Sequence, residues 1–284
     1  MNGAGPLRLA YSPCPNDTYV FAAWTNGMLP GAPAVEVVLD DVEALNVAAA
    51  AGRYELTKAS YGAIPHLVER YRILRAGGAL GRGCGPLVVA RPGSLALTEG
   101  LQMLSHGARV AIPGENTTAY LLLRLACAPG FEPVPMRFDR IVDAVARNDV
   151  DAGLIIHESR FTYKRAGLAH VADLGQWWES QTGRPIPLGA ILVRRDVEPA
   201  RARTLDATIR ASLAYARAND AAVAPYVRAH AFEMEEAVMR AHIGLYVNEF
   251  TDDVGPGGIA AVAALFERGS AAGLVPADAT PEFV

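Results

Sequence analysis

The sequence predicts an α/β fold in two lobes with a cleft between them. Three observations carry that prediction. Short apolar runs alternate with Ala-rich helical segments from residue 7 onward, the pattern that repeated β-then-α units leave in a sequence. The alternation restarts after the glycine-rich stretch "GGALGRGCGP" (77–86). Two apolar strands, "GPLVVARPG" near 85–93 and "PLGAILVRRD" near 187–196, bracket the restarted block, which marks it as an insertion reached by two crossovers. The expected division is a discontinuous large lobe, 1–88 with 193–284, and a small lobe, 89–192. A chain of 284 residues is long enough for both.

Each element has a local reason. "LRLAYS" reads as a strand, and "TYVFAAWTN" as a helix started by Asn16 or Asp17 and stopped by Gly27, because Asn and Asp side chains satisfy free helix N–H groups and Gly accepts the left-handed stop conformation. "VEVVLD" is a strand and "VEALNVAAAA" a helix closed by Gly52. "YELTKAS", "RILRAG" and "PLVVAR" read as strands in a mostly parallel sheet. In the inserted block, "ARVAIPG", "PVPMRF" and "DAGLIIHES" are strands, with "NTTAYLLLRLAC" and "DRIVDAVARN" as helices. After "PLGAILVRRDV" the pattern is mostly helical, through "ARTLDATIRASLAYARAN", "EEAVMRAHIGLYV" and "GGIAAVAALFERGSAAG".

Composition excludes several classes. Net charge is −4 with no basic block, which argues against a nucleic-acid partner. The apolar runs are too short to span a bilayer, and "MNGAGPLRLAYSPCPND" lacks the basic and apolar regions of a signal peptide. The expectation is a soluble, cytoplasmic protein, monomeric or homodimeric. Cys14, Cys84 and Cys127 are odd in number and far apart, so no disulfide framework is expected. No Cys/His group has metal-ligand spacing along the chain.

Candidate functional residues cluster at strand ends. "GLIIHESRFTY" (153–163) ends an apolar strand on His157, the side chain best matched to moving protons near neutral pH; a solvated surface turn is the competing reading. "PGENTTAYLLL" (113–123) puts Asn116, Thr117 and Thr118 at a helix start, where aligned N–H groups bind anions; ordinary capping accounts for one of the three. "LTKASYGA" (56–63) places Lys58 and Ser60 one residue apart, fit to grip a carboxylate, or else a solvated Lys beside a cap. The glycine-rich stretch matches no phosphate-binding motif and reads as a loop near a crossover, with Arg82 facing the cleft. Cys14, between two prolines in "SPCPNDTYVF", reads as a small apolar residue rather than a nucleophile, and Trp177 and Trp178 as packing. The other histidines, His242 among them, carry no functional expectation.

Six segments in order, "SPCPNDTYVF", "LTKASYGA", "GGALGRGCGPLVVAR", "PGENTTAYLLL", "AGLIIHESRFTY" and "PLGAILVRRD", resemble the 1,4-dihydroxy-6-naphthoate synthase family of the futalosine route to menaquinone. The resemblance spans about residues 7 to 250. It implies a fold like type 2 periplasmic binding proteins, without secretion. It implies a lyase that cleaves cyclic dehypoxanthinyl futalosine to 1,4-dihydroxy-6-naphthoate, releasing a three-carbon fragment, with no metal or organic cofactor. It implies His157 as proton acceptor and two substrate-binding segments, Lys58, Ala59 and Ser60, then Thr117 and Thr118. Two other readings fit the same pattern: the sister chorismate dehydratase, and a non-catalytic binding protein for a small carboxylate.

Overall fold

The computed structural model describes residues 6–94, 96, 97, 100–232 and 235–284; residues 1–5, part of the stretch read for a leader, lie outside them. The strands form two separate sheets. The first contains β1 (Leu7–Tyr11), β2 (Val35–Leu39), β3 (Leu56–Ser60), β4 (Tyr71–Ile73), β5 (Ala79–Gly81) and β11 (Ile186–Arg194), in the order β2-β1-β3-β11-β4 with β5 also on β11. The second contains β6 (Leu87–Ala90), β7 (Arg109–Ile112), β8 (Glu132–Pro135), β9 (Ala152–Ile155) and β10 (Ala169–Asp173), in the order β10-β6-β9-β7-β8.

Neither sheet is mostly parallel, which corrects the sequence expectation. β1 runs parallel to β2 and β3, and β7 parallel to β8 and β9. The two bracketing strands reverse the rest: β11 is antiparallel to β3, β4 and β5, and β6 to β9 and β10. A strand that carries the chain from one sheet to the other enters from the opposite end, so it pairs antiparallel with the neighbouring strands of the sheet it joins. The glycine-rich stretch also differs from a plain loop. It carries β5, paired with Ile186–Gly189 of β11 through a register shift.

Apolar residues of β1, β3 and β11 pack against the helices Pro15–Thr25 and Pro199–Ala218 to make one core, with Leu9, Phe21, Leu205 and Leu213 all solvent-free. A second core joins β3, β4 and β6 to the helices Thr118–Ala126, Leu174–Thr182 and Gly255–Ala271. Trp178 is fully buried there and donates its indole N–H to Pro185 O at 3.0 Å, so it is a packing residue as expected. Among the described residues no helix is long and apolar enough to cross a membrane.

One crossover is held by two glycines in backbone contact. A Cβ at Gly85 would lie 2.2 Å from Gly175 N and 2.3 Å from Gly175 Cα. Backbone cannot swing aside as a side-chain tip can, so Gly85→Ala is expected to destabilise the chain by about 1–3 kcal/mol, read as a lower urea midpoint at unchanged slope. A midpoint equal to that of the parent would sink the argument.

Candidate active site

The ends of β1, β3 and β9 and the start of the helix Thr118–Ala126 converge on one cavity. Its wall includes Ser12, Asp17, Lys58, Ala59, Ser60, Thr117, Thr118, His157, His242 and Tyr246. All six residues singled out in the sequence as catalytic or substrate-binding therefore share one space, although Lys58 and His157 stand 99 positions apart along the chain.

The opening turn builds the floor. Helix Pro15–Thr25 is entered through Cys14 with no side-chain cap, so Asn16 and Asp17 are not the caps the sequence suggested. Proline at the first helical position has no N–H to satisfy, and its ring presets the helical φ. Asp17 is thereby released for another task. Its carboxylate accepts hydrogen bonds from Ser12 Oγ at 2.8 Å, Asn16 Nδ2 at 2.9 Å and Lys58 Nζ at 2.6 Å. The Lys58 and Asp17 side chains are only 7% and 3% exposed. Lys58 is thus a buried, committed cation rather than a solvated one.

Ser60 sits at the end of the same strand. Its N–H donates to Asn46 Oδ1 at 2.8 Å and its Oγ accepts from Asn46 Nδ2 at 3.1 Å. That arrangement leaves the hydroxyl proton to donate into the cavity. Ala59 between them pairs with Ala190 of β11 and is solvent-free, so its small side chain shapes the wall.

The two threonines hold the helix start in place through their hydroxyls. Thr117 is the N-cap: its Oγ1 accepts from Tyr120 N at 3.2 Å and donates to Gly114 O at 2.8 Å. Thr118 Oγ1 donates to Leu188 O at 2.6 Å and accepts from Gly62 N at 3.0 Å, tying the helix to the first sheet's side. Both hydroxyl protons are spent on carbonyls. What the segment offers a ligand is the first-turn backbone N–H groups, which have no intrahelical acceptor, and the positive end of the helix dipole. Glu43 braces this corner from the other side, accepting from Asn116 Nδ2 at 2.7 Å and Asn116 N at 3.1 Å.

His157 follows β9 with φ of 56°. That left-handed conformation is uncommon for a residue with a Cβ, and here it turns the chain so that the ring lines the cavity. Phe138 packs edge-on against the ring at 4.8 Å and His242 stacks at 6.2 Å. The Nε2 atom is buried with no hydrogen-bond partner among the described residues. Burial pushes the ring's pKa down to about 4; Asp17 opposes that shift and Lys58 reinforces it. His157 is therefore a neutral imidazole at pH 7, able to accept a proton. Burial pushes His242 well below its ordinary value too, aided by His157.

These two rings set a pH dependence. The unfolded chain binds histidine protons near pH 6.5, and the folded chain does not until about pH 4 for His157. Stability should therefore fall as pH drops from about 6.5 towards 4, at up to about 1.4 kcal/mol per unit for each ring. Thermal melts across that window check it, and a melting point flat from pH 7 to 4.5 would contradict the buried neutral state.

His242 and Tyr246 were missed in the sequence. They lie four apart on the helix Glu236–Tyr246, on the face that closes the cavity. That spacing puts both on one stripe, but nothing local marks it as facing a site rather than a core. Arg82 lies elsewhere than expected: it donates to Gly183 O at 2.9 Å and pairs with Glu179 at 3.6 Å, outside the cavity. Cys14 is fully buried, and desolvation pushes its thiol well above the ordinary value, which does not suit a nucleophile.

Comparison with known proteins decides the family. A family model described as menaquinone biosynthesis matches residues 7–271. The 1,4-dihydroxy-6-naphthoate synthase of Thermus thermophilus is 53% identical over 278 residues, covering 98% of this chain and 99% of that protein. The chain belongs to the 1,4-dihydroxy-6-naphthoate synthase family of menaquinone biosynthesis. A second synthase, from Streptomyces coelicolor, is 49% identical and covers 96% of both chains. A crystal structure of a protein from Archaeoglobus fulgidus superposes with a TM-score of 0.89 at 36% identity, covering 96% of this chain and all of that one. The periplasmic aliphatic sulphonate binding protein of Escherichia coli superposes at 0.66 with 13% identity, covering 99% and 94%; it shows the shared two-lobed fold alone. The synthase family is thus built on a binding-protein-like frame, and the chain is an enzyme of that family.

Proposed function

We propose that this enzyme cleaves cyclic dehypoxanthinyl futalosine to 1,4-dihydroxy-6-naphthoate, with loss of a three-carbon fragment from the former ribose, and that His157 is its general base. The observation that carries the assignment of the base is a neutral, half-buried imidazole whose Nε2 is out of solvent on the wall of the cavity, in a chain 53% identical to a synthase of that product.

The reaction needs a base for a hydroxyl or carbon-bound proton and donors for oxygen charge as it develops. Aromatisation of the product ring drives the carbon–carbon cleavage. His157 takes the proton, and the Ser60 hydroxyl is placed to donate to the developing oxyanion. Because Lys58 is committed to Asp17, the substrate carboxylate is assigned to the first-turn N–H groups of Thr118 and Ala119, which line the cavity. Lys58 and Asp17 fix β3 and the opening turn beneath it. The lobes built on the two sheets close over the substrate about the two crossovers.

Purified enzyme incubated with cyclic dehypoxanthinyl futalosine, without added metal or cofactor, should yield 1,4-dihydroxy-6-naphthoate by mass spectrometry. Unchanged substrate from folded protein would overturn the proposal, and a dehydrated product from chorismate would replace it with the sister activity.

A further inference from the structure

The turn after β1 and the turn after β9 bring three metal-binding side chains together that lie far apart along the chain. Cys14 Sγ, a ring nitrogen of His157 and a carboxylate oxygen of Glu158 all lie within 4.8 Å of one another. Cys14 follows a strand of the first sheet, and His157 and Glu158 follow a strand of the second. We propose that this cluster binds a thiophilic divalent cation, with zinc as its representative, and that the ion pins the two lobes together and removes His157 from the reaction.

The donor set matches the chemistry. Thiolate, imidazole and carboxylate are the ligands zinc takes, and three protein ligands leave one position open. Tetrahedral bonds of about 2.0–2.3 Å put neighbouring ligand atoms roughly 3.5 Å apart, so donors within 4.8 Å of one another need to close by at most about 1.3 Å. Charge also balances. Lys58 and Asp17 already neutralise each other at 2.6 Å, and the Glu158 carboxylate with a Cys14 thiolate offsets a dication. Binding releases the Cys14 proton to solvent and changes no oxidation state. The Nε2 atom of His157, buried without a hydrogen-bond partner among the described residues, is a second pointer to a ligand. Cys14 is solvent-free and Glu158 is 4% exposed, so the ion enters only when the lobes part.

The inhibitory half of this inference rests on His157 being the base; the binding half does not. The test uses the full-length enzyme stripped with a chelator. Cobalt(II) should bind one to one with a sulfur-to-cobalt charge-transfer band, and zinc should displace a chromophoric chelator with the same stoichiometry. Cys14→Ser should abolish the band. Cys14→Ser and Glu158→Gln should each weaken zinc at least tenfold, while Cys84→Ser binds as the parent does. Should Cys14→Ser fail to fold, X-ray absorption of the zinc-loaded parent should find one sulfur ligand. Absence of binding at micromolar zinc, a zinc shell without sulfur, or zinc affinity unchanged in folded Cys14→Ser would each overturn the site. Turnover should fall as zinc saturates and recover with chelator; full turnover of zinc-loaded enzyme would overturn the inhibitory role. The binding measurements need no turnover, so their failure is distinct from a wrong substrate.

Discussion

His157→Asn is expected to lower kcat by about 10²–10⁴-fold, the usual contribution of a general base, while substrate affinity stays within a few-fold of the parent. Asparagine is the informative replacement because residue 157 sits at φ 56°, a region that Asn enters far more readily than other residues with a Cβ. The turn after β9 therefore survives and only the proton acceptor is lost. His157→Ala mixes the two effects, since Ala in the left-handed region adds backbone strain. Calorimetric titration with substrate separates binding from turnover. A variant that retains kcat within twofold removes His157 from the mechanism. One that loses binding and turnover together makes it a positioning residue.

Lys58→Met should destabilise the fold by about 3–5 kcal/mol, the largest stability effect expected of any single exchange in the site. The exchange leaves the Asp17 carboxylate in a place where its side chain is 3% exposed, facing an apolar neighbour. Removing one member of a buried pair strands the other charge, whereas replacing both is often close to neutral. The double variant Asp17→Asn with Lys58→Met should therefore recover most of the loss. Ser12 and Asn16, which hydrogen-bond the Asp17 carboxylate, can each still bond an Asn amide. Urea unfolding of the four proteins closes the cycle. Additive losses would show that the pair has no special coupling and would sink the argument.

How much of this was legible in the sequence depends on what each residue does locally. His157, Lys58, Ser60 and the two threonines stand where apolar strands stop or a helix starts, and such ends meet wherever β-α units are assembled side by side. Their positions could be read without knowing the fold. Asp17 could not be assigned correctly, because its capping propensity is local whereas its partner Lys58 lies 41 residues away. The engagement of the threonine hydroxyls was hidden for a related reason: their acceptors, Gly114 O and Leu188 O, become visible only in three dimensions. The sense of the strands was wrong because β6 and β11 have the same apolar composition whichever way they run. His242 and Tyr246 come from a helix of the third part of the chain, which packs over the cavity by tertiary contact alone.

The buried pair beneath the cavity also bears on how such a site can change. A single substitution at 17 or 58 leaves one ion without its partner, so a path to any other pairing crosses a variant that scarcely folds. The wall above carries no such penalty: Val42, Ala79 and Leu188 touch the same space through uncharged side chains. New substrate preferences are therefore reached by reshaping that wall one residue at a time, over a floor that is effectively frozen by its own electrostatics.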